Sequence, residues 1–281
     1  METKVTTTTK EVIISDMLPT MLIGERINPS GRKKLTQALL AGDLELVRQE
    51  ALAQVRDGAD IIDVNVGTPG IDEVALLPRA VQVVMEAVEV PLCLDSENPK
   101  ALEAALKVYK GKPIVNSVKG EKRSLETLLP LIKEYGATVI GLTIDDDGIP
   151  KDADKRVAIA GKIIEAAEAM GIPRQDVIID TLAMTIAADS KAGVPVMEAI
   201  RRISAEFGVN QTLGASNISF NLPDRQILNT AFLVTVIAAG VTCPIVDAVK
   251  ARPAALSADL LLGRDNFARR YIKAYRERHQ G

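Results

Sequence analysis

DIIDVNVG, which runs from Asp60 to Gly67, is a short β-branched run that carries Asp63 and Asn65 toward its carboxyl end. Branched apolar residues of this kind favour a β-strand. Strands that read as nearly continuous apolar runs are buried on both faces, as in a parallel sheet covered by helices. The segment therefore predicts a central strand of an α/β protein.

Seven similar runs stand before and after this segment, and each is followed by a longer amphipathic stretch. They are MLIGERI (from Met21), PLCLDS (Pro91 to Ser96), PIVNSV (Pro113 to Val118), ATVIGLTID (Ala137 to Asp145), DVIIDTL (Asp176 to Leu182), QTLGASN (Gln211 to Asn217) and CPIVDAV (Cys243 to Val249). About eight strand–helix rounds predict a (β/α)8 TIM barrel. An open doubly wound sheet is the alternative.

The stretches between the runs show the end signals of helices. We expect helices over Arg32 to Arg56, from Asn98-Pro99 onward, over Ser124 to Tyr135, and over Asp152 to Met170. Proline suits a first helical position, and Gly171 can end the last of these helices.

The domain organisation follows from the unbroken alternation. No Pro/Gly/Ser-rich linker interrupts it, so residues 21–281 are predicted to form one barrel domain. Residues 1–20 are predicted to be a solvated N-terminal extension that contains a TTTT tract.

Composition narrows the partners and the compartment. The 281 residues carry a net charge of −3 without a basic cluster, which disfavours nucleic acid and anionic lipid as partners. The longest apolar run, Ala231 to Val246, is shorter than the roughly 20 residues of a membrane-spanning helix. The N-terminus lacks the pattern of a secretory signal. Cys93 and Cys243 lie in apolar runs, as buried free thiols do, which predicts a reducing, cytoplasmic location.

Several kinds of chemistry are disfavoured by missing residues. The one histidine, His279, stands two residues from the end, so a Ser-His-Asp or Cys-His mechanism lacks its base. No C-x-x-C or H-E-x-x-H motif predicts zinc, and no G-x-G-x-x-G or P-loop predicts a nucleotide. The run Asp145 to Asp147 is interpreted as a solvated loop, since consecutive carboxylates point apart. We expect no metal.

Polar side chains end nearly every predicted strand, where the active site of such a barrel is built. They are Glu25, Asn28, Asp63, Asn65, Asp95, Asn116, Asp180, Asn217 and Asp247, almost all acids or amides. Carboxylates accept from paired N–H groups, and amides both donate and accept. This set suits a flat heterocycle such as a pterin, whose amino-pyrimidinone edge offers two adjacent N–H groups.

Each of these residues also has a structural interpretation. Asp63 and Asn65 can satisfy the backbone of neighbouring loops, and Asp95 and Asp180 can cap helices. Met184 and Phe220, on two of the later loops, are interpreted as packing residues. We prefer the functional interpretation for Asp95, Asp180, Asn116 and Asn217. For Asp63 and Asn65 both interpretations stay open.

A set of motifs in fixed order resembles a known family. The motifs are MLIGERINPSGR, GADIIDVNVG, LCLDS, IVNSV, GLTIDDDGIPKD, VIIDTL and LGASNISF, spread over residues 21 to about 270. The chain resembles the methyltetrahydrofolate:corrinoid-protein methyltransferases and, more loosely, the folate domain of cobalamin-dependent methionine synthase. The resemblance implies a barrel of the pterin-binding type.

The resemblance also implies roles for individual residues. Asp95, Asn116 and Asp180 would hold the pterin ring, with Glu25, Asp63 and Asn65 as further folate-binding residues. Asn217 would be the catalytic residue that reaches the methylated N5 atom. Arg225 matches a family arginine near the mouth and would meet the glutamate tail of the folate, unless it is only a solvated charge at a helix start. Phe220 stands where some family members have glutamine and methionine synthase has phenylalanine.

The implied reaction moves a methyl group between N5 of tetrahydrofolate and the cobalt of a corrinoid, in a direction that the sequence leaves open. No D-x-H-x-x-G motif is present, so the corrinoid is expected on a separate partner protein. The resemblance suggests a homodimer. The alternatives are a dihydropteroate synthase-like enzyme, whose basic motifs on the last two strands have no counterpart in SNISF or VDAVK, and a non-catalytic folate-binding module.

Overall fold

The computed structural model describes residues 1–279, in which eight parallel strands follow one another around one sheet. An antiparallel hairpin of β1 (Thr3–Thr6) and β2 (Glu11–Ile14) precedes them. The parallel strands are β3 (Ile23–Ile27), β4 (Ile61–Asn65), β5 (Leu92–Asp95), β6 (Ile114–Lys119), β7 (Thr138–Leu142), β8 (Val177–Asp180), β9 (Gln211–Thr212) and β10 (Ile245–Val246). Each of the eight predicted runs coincides with one of these strands, although β6 extends one residue beyond its run, to Lys119.

The sheet closes into a barrel between its last two strands. β10 pairs with β3, which places the last strand beside the first. On its other side, Gly214 bridges Ile245 in parallel, and the Ile245 amide donates to the Leu213 carbonyl over 3.0 Å. The prediction of a (β/α)8 barrel is confirmed, and the open doubly wound alternative is wrong because both edges of the sheet are paired.

Helices cover the outside of the barrel. They are α1 (Lys33–Leu40), α2 (Glu45–Arg56), α3 (Glu73–Ala87), α4 (Pro99–Val108), α5 (Lys122–Tyr135), α6 (Ala153–Ala169), α7 (Gly193–Phe207), α8 (Arg225–Ala239), α9 (Ala248–Leu261) and α10 (Arg269–His279). Asn98 caps α4 by accepting from the Lys100 amide, and Asp152 caps α6 by accepting from the Lys155 amide. These helix starts agree with the sequence.

One predicted helix is wrong. The stretch from Arg32 to Arg56 forms two helices because Gly42 adopts a left-handed φ of 68°, which ends α1. The Asp43 carboxylate then accepts from the Glu45 amide and begins α2.

The N-terminal hairpin corrects a second expectation. Val5, Val12 and Ile14 are buried in one cluster with residues of the barrel interior, and Thr6 bridges Lys112 just before β6. Residues 1–20 are therefore not a solvated extension, because the hairpin covers one end of the barrel. The assignment of residues 21–281 to a single domain stays a prediction, and its last two residues lie outside the described part of the chain.

A layer of apolar side chains fills the barrel above this hairpin. It consists of Ile23, Ile61, Cys93, Ile114, Ile140, Ile178 and Cys243, all fully buried. Both cysteines are free thiols, as predicted. Among the described residues, no helix is both long and apolar enough to cross a membrane. The layer forms a solid floor under the carboxyl ends of the strands.

We predict that truncating the hairpin face that meets this floor destabilises the whole barrel. Ile14→Ala leaves a cavity against the floor and should lower the free energy of unfolding by about 2–5 kcal/mol. The neighbouring Ile13, whose side chain points to the opposite face and is only half-buried, supplies the matched variant Ile13→Ala. Denaturant unfolding checks the pair, and equal losses for both variants would contradict the packing described here.

Candidate active site

The polar residues of the barrel mouth sit two positions beyond the apolar floor on the same strands. Alternate residues of a strand face the same side, so Glu25 lies above Ile23 and Asp63 above Ile61. The same step relates Asp95 to Cys93, Asn116 to Ile114 and Asp180 to Ile178. The floor thus sets which polar side chains turn inward, and five predicted site residues meet in the barrel interior.

Two amide–carboxylate pairs link β4, β5 and β6. Asn65 Nδ2 donates to Asp95 Oδ2 over 2.8 Å, and Asn116 Nδ2 donates to Asp63 Oδ1 over 3.3 Å. Asn65 also accepts from the Gly67 amide, so it supports its own loop as well as Asp95. Asp95 caps no helix, since Asn98 holds that position. The geometry favours the functional interpretation of Asp95.

Burial raises the pKa of the inward carboxyl groups. Desolvation raises the pKa of Asp95 to about 6, while the Asn65 hydrogen bond opposes the shift. Asp63 is 2% exposed, and its burial followed by the charge of Asp95 holds its pKa well above the usual range. Ionising both Asp63 and Asp95 near neutral pH is therefore energetically unfavourable. Polar partners such as the N–H groups of a ligand would relieve that cost.

Asp180 stands apart from these pairs on β8. Desolvation raises its pKa to about 7, opposed by the Leu182 amide, which donates to Oδ1 over 2.6 Å, and by the charge of Arg156. The guanidinium of Arg156 is itself buried and donates to the carbonyls of Thr181 and Leu182. Asp180 is not a helix cap, because α7 begins only at Gly193. No residue in the range 1–279 donates to Oδ2, which is left for a ligand.

Glu25 belongs to a second polar group on the β10 side of the mouth. Burial and the nearby Asp247 raise the pKa of Glu25 to about 7. Ser216 Oγ lies 3.4 Å from Glu25 Oε1, and Asp247 pairs with Lys250 at 3.3 Å and with Arg26 at 3.6 Å. A cavity of about 340 Å³ opens between these residues. A larger cavity, of about 730 Å³, lies beside Leu22 and Asp60, before the strands begin, and contains none of the predicted site residues.

Asn217 lies on a short 3-10 turn, Ala215–Ser219, directly after β9. Its side chain is exposed and forms no hydrogen bond within residues 1–279, unlike those of Asn65 and Asn116. Gly214 leaves room for it, because a Cβ at that position would lie 3.0 Å from Asn217 Nδ2. The amide of Asn217 is therefore available to a bound molecule.

Arg225 is the first residue of α8 and is exposed. Its Nε donates to Ser219 Oγ over 3.0 Å and its Nη2 donates to the Ser216 carbonyl over 2.8 Å. It is thus bonded to the turn that carries Asn217 and is more than a solvated charge. Asn28 turns to its own loop, where its Oδ1 accepts from the Ser30 amide.

Two packing expectations are wrong. Phe220 is 56% exposed and Met184 is 39% exposed, because both lie on loops above the barrel mouth. The Arg225 guanidinium carbon lies 5.8 Å from the centre of the Phe220 ring.

The acidic run Asp145 to Asp147 forms a loop held by Lys155, which pairs with Asp145 at 3.3 Å and with Asp147 at 2.6 Å. Within the described range, no three His, Cys, Asp or Glu side chains are placed to hold a metal ion.

Sequence reasoning missed the residues that support the site from behind. Arg156, Ser216, Ser219 and Asn229 all contact site residues or the loops that carry them. Arg156 belongs to the amphipathic pattern of α6. A charged residue at a position of the apolar face is the one signal in the sequence that could have marked it.

The mouth as a whole combines buried carboxyl groups with side-chain amides. The amides of Asn65 and Asn116 are bonded to these acids, and the amide of Asn217 is exposed. Carboxylates that border an apolar floor recognise paired N–H donors of a flat ring, and the amides complete the pattern around its edge. The family profile of pterin binding enzymes matches residues 24–247, which span every one of these strands. The chain belongs to the pterin-binding enzyme family.

Two curated relatives extend this family assignment. The chain is 32% identical to methylcorrinoid:tetrahydrofolate methyltransferase of Eubacterium limosum over 264 residues, which cover 92% of this chain and 96% of that protein. It is 35% identical to methionine synthase of Mycobacterium tuberculosis over 83% of this chain, but it spans only 21% of that much longer protein.

Solved structures of dihydropteroate synthase share the fold. The enzyme from Yersinia pestis with a pterine-sulfa conjugate superposes with a TM-score of 0.72 at 14% identity, covering 92% of this chain and 98% of that one. Dihydropteroate synthase from Xanthomonas albilineans with 7,8-dihydropteroate superposes with a TM-score of 0.65 at 18% identity, covering 89% and 94%. At these identities the likeness is one of fold alone.

We predict that Asp180→Asn stabilises the free protein while weakening pterin binding. The folded pKa of about 7 exceeds the ordinary value of 3.8, so between these values the folded state holds a proton that the unfolded chain releases. The free energy of unfolding therefore falls as pH rises through this window, and the loss is complete above about pH 7. Asparagine carries no charge and keeps the acceptor for Leu182, so the variant should melt at a higher temperature than the native protein at about pH 8.

The same substitution removes a charged acceptor for ligand N–H groups, which should weaken pterin binding by about 1.5–3 kcal/mol. Asp176→Asn is the control, since Asp176 lies at the opposite end of β8 and pairs with Lys112. Calorimetry with tetrahydrofolate and melting curves at two pH values check both halves. Unchanged folate affinity in Asp180→Asn, or an equal loss in Asp176→Asn, would contradict the assignment.

Proposed function

We propose that this protein is a methyltransferase that moves a methyl group between N5 of tetrahydrofolate and the cobalt of a corrinoid carried by a partner protein. The observation that carries the proposal is the match to methylcorrinoid:tetrahydrofolate methyltransferase along 92% of this chain and 96% of that protein. The residues of the barrel mouth supply chemistry that suits the folate half of this reaction.

The pterin ring is held by Asp95, Asn116 and Asp180 in this proposal. Asp95 and Asp180 accept from the N–H groups of the amino-pyrimidinone edge, and ligand binding favours their ionised forms. Asn116 presents an amide between them, kept in place by Asp63. The carboxylates bind and orient the ring and do not attack it. Asn65 and Glu25 complete the polar border, with Asn65 fixing the orientation of Asp95.

Asn217 acts on the reacting atom. When methyltetrahydrofolate is the donor, the bond between N5 and the methyl carbon breaks. N5 is a better leaving group when it gains a proton or accepts a strong hydrogen bond. The free amide of Asn217 supplies that hydrogen bond. In the reverse direction the amide oxygen of Asn217 accepts from N5–H of tetrahydrofolate, which turns the N5 lone pair toward the incoming methyl group, and N5 releases its proton as the N–C bond forms. The corrinoid supplies the cobalt that accepts or gives up the methyl group, and positioning of the two substrates provides most of the rate enhancement.

The corrinoid is proposed to arrive on a separate protein. The strand–helix rounds of the barrel account for most of residues 21–279, and no D-x-H-x-x-G motif is present in the sequence. The partner would dock over the mouth through a transient interface. A homodimeric state follows from the family resemblance, and a cytoplasmic location is supported by the two free, buried cysteines. Neither nucleic acid nor a membrane surface is proposed as a partner.

Arg225 is proposed to meet the glutamate tail of the folate at the edge of the mouth. A guanidinium pairs well with carboxylate, and Arg225 borders the cavity that also contains Glu25 and Asp247. Its bonds to Ser219 and Ser216 use Nε and Nη2, which leaves Nη1 for this contact.

The dihydropteroate synthase alternative is less well supported. Asn217 and Asp247 follow the last two strands, where SNISF and VDAVK offer no counterpart to the basic motifs expected of such an enzyme. Arg26 and Lys250 approach this region, but both pair with Asp247. A pyrophosphate leaving group would therefore meet a buried acid, Glu25, beside Asp247.

The direct test mixes the protein with methyltetrahydrofolate and cobalamin reduced to cobalt(I), and follows the cobalt(I) absorption band. We expect the band to decay only when protein and methylated folate are both present, and the purified protein to be colourless. Repeating the assay with methylcobalamin and tetrahydrofolate measures the opposite direction. Folate binding without transfer in either direction would favour the non-catalytic binding module.

We predict that Asn217→Ala lowers the turnover number more than it lowers folate affinity. The proposed hydrogen bond strengthens as charge develops at N5, so its loss is felt mainly in the transition state. Asn221→Gly is the control, because Asn221 is exposed, lies just beyond the same turn and has a left-handed φ of 64° that glycine adopts without strain. Steady-state kinetics and calorimetry separate the two effects, and equal losses in binding and rate would make Asn217 an ordinary binding residue.

A further inference from the structure

We propose that Ser219 and Asn229, together with Arg225, form a clamp that fixes the turn carrying Asn217 and so sets the position of the catalytic amide. Ser219 and Asn229 are positioning residues, since they are argued to act through the turn that carries Asn217. The proposal rests on the function proposed above and assigns a role to residues that the sequence analysis did not single out.

The clamp forms hydrogen bonds with Ser219, at the carboxyl end of the turn. Ser219 is fully buried, and its hydroxyl donates to Asn229 Oδ1 over 2.6 Å. The same hydroxyl oxygen accepts from Arg225 Nε over 3.0 Å. Arg225 Nη2 then reaches back to the Ser216 carbonyl over 2.8 Å. One buried hydroxyl and one guanidinium thus hold the residues on both sides of Asn217.

The turn needs an external hold because it has little stability of its own. A 3-10 segment of five residues has few backbone hydrogen bonds, and here the Asn217 amide donates to Gly214 and the Phe220 amide donates to Asn217. The Asn217 side chain is exposed, and no residue among 1–279 forms a hydrogen bond with it. Its direction is therefore set by the backbone of the turn.

The anchor of the clamp is rigid. Asn229 lies on α8 one turn before Leu233, which is buried with Val236 and Ile237 against the barrel. Hydrogen bonds from this helix to Ser219 transfer the position of the packed helix to the turn. A displacement of about 1 Å in a reacting group can cost about a hundredfold in rate, so such support matters for catalysis.

At the other end of the turn, the side chain of Ser216 is held more loosely than its carbonyl. Ser216 Oγ lies 3.4 Å from one oxygen of Glu25 and 3.5 Å from the other, at the long limit for a hydrogen bond. The Ile186 amide also donates to the Ile218 carbonyl over 3.0 Å, and Thr185 Oγ1 donates to the Phe220 carbonyl over 2.6 Å, so the turn stays attached to the loop after β8 without Ser219. We expect loss of the Ser219 contacts to loosen the turn and shift Asn217 without unfolding it.

The test uses Ser219→Ala, with Asn229→Asp as the conservative variant and Thr235→Ala as the control. Aspartate at position 229 keeps an acceptor for the Ser219 hydroxyl. Thr235 is exposed, and its hydroxyl donates to the Ala231 carbonyl on the far side of the same helix. We expect Ser219→Ala to lower kcat by about tenfold with KM for folate changed by less than about twofold, Asn229→Asp to keep most of the activity, and Thr235→Ala to match the native protein.

A double-mutant comparison separates positioning from general damage. In an Asn217→Ala background the clamp has no catalytic amide left to position, so adding Ser219→Ala should lower kcat by less than about twofold. A further loss of about tenfold in that background would overturn the proposal, because it would show that Ser219 acts independently of Asn217. Equal changes in KM and kcat in the single variant would also overturn it.

Hydrogen exchange provides a readout that does not depend on activity. The amides of Asn217 and Phe220 close the turn, and we expect both to exchange faster in Ser219→Ala than in the native protein or in Thr235→Ala, with unchanged exchange in the core of α8. Unchanged exchange in the turn would refute the clamp even in an active enzyme. Absence of methyl transfer by the native protein with faster exchange in Ser219→Ala would refute the proposed function and leave the clamp standing.

Discussion

Burial of carboxyl groups directly above an apolar floor is the constraint on which the site depends. The floor residues Ile61, Cys93 and Ile178 close the barrel interior, and the strand period places Asp63, Asp95 and Asp180 on the next inward positions. These acids are therefore buried from bulk water while they still line the barrel mouth. Their raised pKa values follow mainly from desolvation. The free protein therefore carries an unfavourable arrangement that a ligand with paired N–H groups can relieve.

This arrangement also explains how the surrounding residues are used. Amides support the acids of β4 to β6, whereas the buried Arg156 supports the loop after Asp180. An arginine that donates to backbone carbonyls stabilises the loop while its charge favours the ionised form of Asp180. The rim near Asn217 is different, because the Asn217 side chain is exposed and its turn is bonded to Arg225 and Asn229 of α8 through the buried Ser219. The mouth thus combines one side with buried acids and another side with an exposed amide on a turn supported by α8.

Much of the architecture could be predicted from the sequence because it depends on local periodicity. Each strand combines an apolar run with a polar residue at its carboxyl end, and both features can be recognised in one sequence without an alignment. The break at Gly42 was missed because a long amphipathic stretch does not reveal where a glycine adopts a left-handed φ. The N-terminal hairpin was missed because its first strand, Thr3–Thr6, contains a single apolar residue, Val5, and only the tertiary contact shows which face is buried.

The supporting residues were beyond prediction for a related reason. Arg156 contacts loop carbonyls 25 and 26 residues away, and Ser219 contacts Asn229 across a loop, so neither pairing has a spacing that marks it. Phe220 was interpreted as a packing residue, but it is 56% exposed on a loop above the mouth. The sequence is informative about the groups that touch a ligand and much less so about the groups that hold them.

Proton release on folate binding tests most directly whether the buried carboxyl groups recognise the pterin. Calorimetric titration of the native protein with tetrahydrofolate in buffers of different ionisation enthalpy measures the protons exchanged. With pKa values of about 6 for Asp95 and about 7 for Asp180, binding that requires their charged forms should release protons near pH 6. The release should disappear near about pH 9, where both groups are already ionised. Tight binding at about pH 6 without proton release, or with proton uptake, would contradict the account.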